Sequence, residues 1–323
     1  MRAVGYLTWL ALLGAAHAVV FLLVWRFFVT TEHGQLLDTA ALAGNTIGRR
    51  TVDGLVDTTL NAMSVVSLAI ATAVIGFIAL IRRRVLLAVV AITLIVGANV
   101  TTQVLKYLIT RPDLGVDEAR AAAGNSLPSG HTTVAASVAI ALVLVLPARV
   151  RAVGAVIAAG YAALAGVATL SAGWHRPSDA VAALLIAGGW AALAGFLLLL
   201  AQHREAFQTG QAAHRASVAV LLFVGIALLA VAVAVWLTDQ ALPTSPEELS
   251  RQRLFAAYAG GAAGIAGTAG VVTGLVLASV HRVVPRRGAP AGPDDAALPA
   301  GVPGGLVRPA EEPTVQRPGG SPW

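Results

Sequence analysis

The chain has 323 residues, 57% of them hydrophobic and 12% charged, with a formal net charge of +6, no cysteine and a mean hydropathy of +0.78. A soluble domain carries roughly 25% charged residues; half that share leaves too little polar surface to coat a globule in water, so the solvent of most of the chain is lipid. The lack of thiols excludes disulfides, thiolate metal sites and cysteine nucleophiles, and in such a chain the positive charge belongs to basic loops beside anionic lipid rather than to a nucleic-acid surface.

In chain order, eight apolar spans are expected: Val4–Phe28, Ala62–Ile81, Val85–Leu105, His131–Leu146, Ala152–Ala172, Asp179–Ala201, Ser217–Leu237 and Phe255–Val280. Most reach the roughly 20 residues needed to cross a bilayer; the fourth is short. Ala16-His17-Ala18 resembles a signal-peptide cleavage site, but Val19–Phe28 continues apolar without a break, which favours a retained helix. The last span carries Gly260, Gly264, Gly267, Gly270 and Gly274, a surface on which another helix can pack closely, either within the chain or in a homo-oligomer. Residues 283–323 are rich in Pro and Gly and read as a disordered tail.

Arginines at Arg2, Arg82–Arg84, Arg149 and Arg151, Arg204 and Arg215, and Arg282, Arg286 and Arg287 fall at alternate ends of successive spans. One orientation places them all in the cytoplasm with both termini, and loops 29–61, 106–130, 173–178 and 238–254 outside. Arg49 and Arg50, and Arg251 and Arg253, run against the rule. The residue bias fits a bacterial cell membrane.

The chemistry-bearing residues cluster at the outer ends of spans three to six. Lys106 ends the third span, and Arg111-Pro112 follow it. Pro128-Ser129-Gly130-His131 opens the fourth span and His175-Arg176-Pro177-Ser178-Asp179 the sixth. Ser129 stands where a helix N-cap belongs, and the free N–H groups behind such a cap favour an anion. Gly130 leaves that backbone open, Lys106 adds a cation, and Arg111 offers a planar fork for phosphate oxygens. His131 and His175 can act as acid, base or nucleophile near neutral pH, and Asp179, four residues after His175, can fix its tautomer. Taken singly, a boundary lysine snorkels, Trp174 anchors at the interface, and His17, His33, His203, His214 and His281 are structural or solvated. The joint order of lysine, Pro-Ser-Gly-His and His-x-x-x-Asp on one face is what resists those readings.

These motifs resemble those of the type-2 phosphatidic acid phosphatase superfamily, over roughly residues 30–200: a lysine followed after six residues by Arg-Pro, then Pro-Ser-Gly-His, then Ser-Arg, five residues, histidine, three residues and aspartate. The resemblance implies a nucleophile at His175, its orienting partner at Asp179, a general acid at His131, phosphate binders at Lys106, Ser129 and Gly130, and no metal or other cofactor. The chain departs from the pattern where the first motif's Arg-Pro falls on Asp113-Leu114 and the third motif's Ser-Arg on Ala168-Thr169. Arg111 and Arg176 are the nearest replacements, expected to bind phosphate in their stead.

The resulting expectation is an all-α, polytopic membrane bundle of about eight helices: a six-helix phosphatase-like core over 1–201, two further helices over 202–282, and the tail. Its activity would be hydrolysis of a lipid phosphomonoester or pyrophosphate (phosphatidic acid, phosphatidylglycerol phosphate or polyprenyl pyrophosphate) at the outer face. The alternative is a weak or inactive binder of anionic lipid headgroups, which the missing arginines favour and the two histidines oppose.

Overall fold

The computed structural model describes residues 2–46, 54, 58, 65–81, 83–117, 124–201, 215–238 and 249–283. Nine α-helices are present among them, with no strand. They are α1 (Arg2–Phe28), α2 (Glu32–Ala43, followed by a 3-10 turn Gly44–Thr46), α3 (Val65–Ile81), α4 (Val85–Leu108), α5 (Gly130–Val145), α6 (Ala148–Ser171), α7 (Pro177–Ala201), α8 (Arg215–Thr238) and α9 (Arg251–Val283). Met1–Arg286 forms one unit; the second, Arg287–Trp323, lies outside the described residues, as do the expected disordered tail beyond residue 283, Arg49 and Arg50, His203 and His214, and most of loop 238–254.

Six helices, α1, α4, α6, α7, α8 and α9, are long and apolar enough to cross a membrane; α3 and α5 are apolar but shorter. All eight expected spans are therefore helical in their described residues, and the chain is a polytopic helical membrane protein. At a rise of about 1.5 Å per residue, α5 spans only about 24 Å. It need not meet lipid along its length, because eleven of its sixteen residues are buried by neighbouring helices. The most buried of the long spans is α7, which packs against α1, α4, α5 and α9. Its alanines and leucines meet Leu94 and Ile95 of α4, Ile140 and Leu144 of α5 and Ile265 and Val272 of α9 in one core. The most lipid-exposed of them, α8, rests mainly on α9.

The glycines of α9 explain that last contact. A Cβ at Gly267 would stand 2.8 Å from the Gly225 carbonyl, one at Gly270 3.1 Å from the Leu221 carbonyl, and one at Gly260 2.9 Å from Val235. The expected glycine face is thus occupied by α8 of the same chain. His17, expected to be structural or solvated, is buried midway along α1 against Gly188 of α7, its Nδ1 2.7 Å from the Leu13 carbonyl.

One expectation is corrected. Segment 29–61, expected as an external loop, contains α2, with Gly34 to Leu42 buried. With five of its 12 residues polar, α2 has no long apolar run to reveal it. Its start signal is local: Thr31 is the N-cap and accepts from the Gly34 amide at 3.1 Å. Gly34 is needed because a Cβ there would lie 2.1 Å from the Phe27 carbonyl. The chain can therefore fold back tightly at the end of α1, and α2 inserts beside α7 and α9. A smaller difference is that α4 runs on to Leu108, which puts Lys106 inside its last turn.

Candidate functional site

The C-terminal ends of α1 and α4 and the N-terminal ends of α5 and α7 meet at one end of the bundle, with α2 among them. Two local features build the N-terminus of α5. Ser129 caps it, accepting from the Thr132 amide at 3.3 Å and the Thr132 hydroxyl at 3.0 Å. The Ser129 amide in turn donates to the carbonyl of Asp179 at 2.9 Å, which ties the first turn of α5 to that of α7. A Cβ on Gly130 would stand 3.9 Å from Lys106 Nζ, so the lysine ammonium lies beside the open start of α5. Below this, Thr102 of α4 pairs with Thr133 of α5 at 2.9 Å and Asn99 donates to Ser137 at 3.2 Å, which fixes the two helices in register.

The turn before α7 carries the second half. Gly173 sits at φ +74°, a conformation that side chains with a Cβ rarely adopt, and reverses the chain after α6. The amides of Trp174 and His175 then both donate to the Thr169 carbonyl, at 3.0 and 3.2 Å. Pro177 opens the helix, a position where its missing N–H costs nothing. Asp179 reaches back: its Oδ2 accepts from the Arg176 amide at 3.1 Å, as the third residue of a capping box does, and meets His175 Nδ1 at 3.2 Å. With Nδ1 engaged, Nε2 of His175 is the free ring nitrogen. The His131 and His175 ring centroids are 6.4 Å apart, and the His131 ring lies 5.2 Å from that of Trp174.

Arg111 and Arg176, the two arginines expected to stand in for the family's, occupy different ground from the lysine. Arg111 is buried, its Nη2 3.7 Å from Asp38 Oδ2 and 3.8 Å from Asp179 Oδ1, while Nη1 donates to the Phe28 carbonyl at 3.4 Å. Arg176 is also buried and pairs with Asp117 at 3.6 Å. Both guanidinium groups are therefore engaged with carboxylates. At the family's own positions, Asp113 is exposed and closes a turn onto the Gly115 amide at 3.0 Å, and Thr169 is fully buried, bonded to the Gly166 carbonyl at 2.8 Å. Among the described residues, no group of three or more His, Cys, Asp or Glu side chains is arranged to hold a metal ion.

Sequence reasoning missed Asp38. Its Oδ1 accepts from the Ser178 amide at 3.1 Å, its Oδ2 accepts from the Ser178 hydroxyl, and Arg111 lies beside it. Burial pushes its pKa up to about 6, against the opposing pull of Arg111 and with a further upward push from Asp179. Nothing in the sequence joins a residue 140 positions away to Ser178. The available signal was the Thr31 cap, which marks a helix in a segment with no other pattern. Trp174, expected only as an interfacial anchor, is half exposed and also flanks His131.

Residues 84–204 match the family model described as the PAP2 superfamily. The match runs from the start of α4 past the end of α7, covers the lysine, Pro-Ser-Gly-His and His-x-x-x-Asp segments, and is consistent with a member of the type-2 phosphatidic acid phosphatase superfamily. It suggests phosphatase activity on phosphate esters. No curated protein and no solved structure matches the chain significantly.

Proposed function

We propose that the chain is a membrane phosphatase that hydrolyses a lipid phosphomonoester or pyrophosphate through a phosphohistidine on His175. The observation that carries this reading is the His175–Asp179 contact at 3.2 Å, set 6.4 Å from the His131 ring at the capped start of α5. Asp179 holds the Nδ1 proton, so the Nε2 lone pair attacks phosphorus as the bond to the leaving oxygen breaks. His131 gives its proton to that oxygen. In the second step His131 takes a proton from water, water attacks the phosphohistidine, and inorganic phosphate leaves with His175 restored. Lys106 and the free N–H groups at the start of α5 hold the phosphoryl oxygens, where charge builds up in the transition state. Arg111 and Arg176 add positive field from behind the histidine rather than a direct clamp, since each already lies against a carboxylate. No metal enters these steps.

A lipid rather than a soluble ester is supported by the apolar side chains around the site. Tyr107 and Leu108, following Lys106, are 88% and 72% exposed, and Trp174 is 50% exposed beside His131. Side chains of this kind settle at a membrane interface and would present the site to headgroups. The alternating arginines favour an extracytoplasmic position for this end of the bundle. The test is phosphate release by the purified protein from phosphatidic acid, phosphatidylglycerol phosphate and polyprenyl pyrophosphate in chelator-treated buffer. His175→Ala is expected to abolish release while leaving lipid binding largely intact, and labelled phosphate should be trapped on His175 of the wild type. Wild-type turnover by His175→Ala would refute the nucleophile. The lack of arginine at positions 113 and 169 favours a second reading, a binder of anionic lipid headgroups without turnover. Binding of all three lipids with no release would establish it instead.

A further inference from the structure

The helix that carries Asp179 begins without a side-chain cap of the ordinary kind. The residue before Pro177 is Arg176, whose side chain holds donors only and cannot accept from the free N–H groups of the first turn. The first such amide, that of Ser178, is nevertheless satisfied, because Asp38 Oδ1 accepts from it at 3.1 Å. The Ser178 hydroxyl donates to the other oxygen of the same carboxylate. A carboxylate in this place also meets the positive end of the helix dipole. Asp38 therefore supplies from α2 the cap that α7 lacks in its own sequence.

Two more contacts come from the same stretch of chain. Asn45, just after α2, donates to the Leu170 carbonyl at 3.5 Å, and its side chain lies so close to Gly173 that a Cβ there would come within 2.7 Å. Asp38 also lies 3.7 Å from the Arg111 nitrogen that stands 3.8 Å from Asp179. The His175 turn is thus held on both sides by one segment: Asn45 before it and Asp38 after it. On its outer flank, a Cβ at Gly261 of α9 would stand 2.6 Å from Pro177.

We propose that Asp38 is a positioning residue of the phosphatase site: it caps α7 from a distance and restrains Arg111, so that His175 and Asp179 face His131. The effect on turnover rests on the phosphatase reading; the bracing of the turn does not. Loss of Asp38 leaves the Ser178 amide orphaned and leaves Asp179 as the carboxylate against Arg111. The guanidinium then draws on the oxygen pair that His175 needs. Lys106 and the start of α5 are untouched, so ground-state binding of phosphate should hardly change.

The experiment compares wild type, Asp38→Asn, Asp38→Ala and His175→Ala, each as full-length protein in detergent micelles. Phosphatidic acid turnover and hydrogen exchange of the peptide covering 173–182 are both measured. Asparagine keeps an acceptor for the Ser178 amide but loses the charge facing Arg111. Asp38→Ala should lose about 10²-fold in kcat and Asp38→Asn about 10-fold, each with KM within about twofold, the pattern of an interaction that matters mainly in the transition state. Exchange in the 173–182 peptide should rise about 10-fold in Asp38→Ala, less in Asp38→Asn, and remain unchanged in helices far from it such as α3. Wild-type exchange in both Asp38 variants would overturn the proposal. Faster exchange throughout the chain, with activity falling only in step with folded protein, would also overturn it. If His175→Ala retains turnover, or the wild type has none, the phosphatase reading fails by itself and the exchange result still decides the brace.

Discussion

Asp179→Asn removes one charge and almost no volume from the centre of the site. In the wild type its Oδ2 stands 3.2 Å from His175 Nδ1 and 3.1 Å from the Arg176 amide, and its Oδ1 faces Arg111 at 3.8 Å. In the proposed mechanism, attack by Nε2 makes the His175 ring cationic. At 3.2 Å and an effective dielectric constant of ~20, a full charge on the ring would be attracted by about 5 kcal/mol. With the ring about half charged in the transition state, about 2–3 kcal/mol is at stake, or ~10²-fold in rate. The amide cannot satisfy every neighbour: with its oxygen toward His175 and Arg176, its NH2 meets the Arg111 guanidinium donor to donor. Turned the other way, its NH2 faces the Arg176 amide and selects the wrong His175 tautomer. The expected outcome is a ~10²-fold lower kcat for phosphatidic acid with little change in KM, measured by phosphate release at saturating lipid. A kcat within about threefold of wild type, in protein whose thermal unfolding is normal, would refute the role given to Asp179.

Three further outcomes follow from the same geometry. Arg111→Ala should lower stability by about 3–5 kcal/mol, because it leaves Asp38 and Asp179 buried without their shared cation, and Arg111→Lys should not restore it; thermal unfolding in detergent reads both. Asp38, whose carboxyl is raised from 3.8 to about 6 by burial and by Asp179 against Arg111, Arg176 and Ser178, holds its proton more tightly in the fold than in the unfolded chain. Its contribution is fully present below about pH 4 and is lost as pH rises toward 6, by about 3 kcal/mol, so Asp38→Asn should flatten the stability curve across that window; an unchanged slope would refute it. In a chain without cysteine, Gly115→Cys and Arg149→Cys, at exposed positions beyond opposite ends of the bundle, should label from opposite sides of the membrane, Gly115→Cys from outside. Labelling from one side would remove the orientation and the outer-face site with it.

The helical spans were legible because each long apolar run has one low-energy solution in lipid, a helix whose backbone groups satisfy each other. The pairing of His175 with Asp179 was only partly legible: the four-residue spacing hints at it, but His175 lies in the turn before Pro177, and the two meet because Asp179 reaches back from the first turn of α7 as the third residue of a capping box does. The α2 helix was not legible, since its burial comes from packing against α7 and α9 rather than from its own hydropathy. Asp38 was invisible for the same reason, as its partners Ser178 and Arg111 lie in segments that only the fold brings to it. The surroundings of Arg111 and Arg176 were not legible. Proximity in sequence picked out Arg111 and Arg176, but it carried no information on which way their guanidinium groups turn.

The direction in which those groups turn changes what the site is built to do. An arginine clamp lies against the phosphoryl oxygens and stabilises charge on the substrate. Arg111 instead lies between two carboxylates, and in the proposed phosphatase its charge would act on Asp179 and reach the substrate through the histidine. The cation proposed to meet the substrate is then Lys106, a single flexible ammonium beside the N–H groups of α5. A phosphatase built this way would have less charge in direct contact with phosphate than the family pattern provides, and would depend correspondingly more on how firmly the His175 turn is held. The contacts of Asp38, Asn45 and Gly261 all converge on that turn, which is where a site short of clamping charge most needs rigidity.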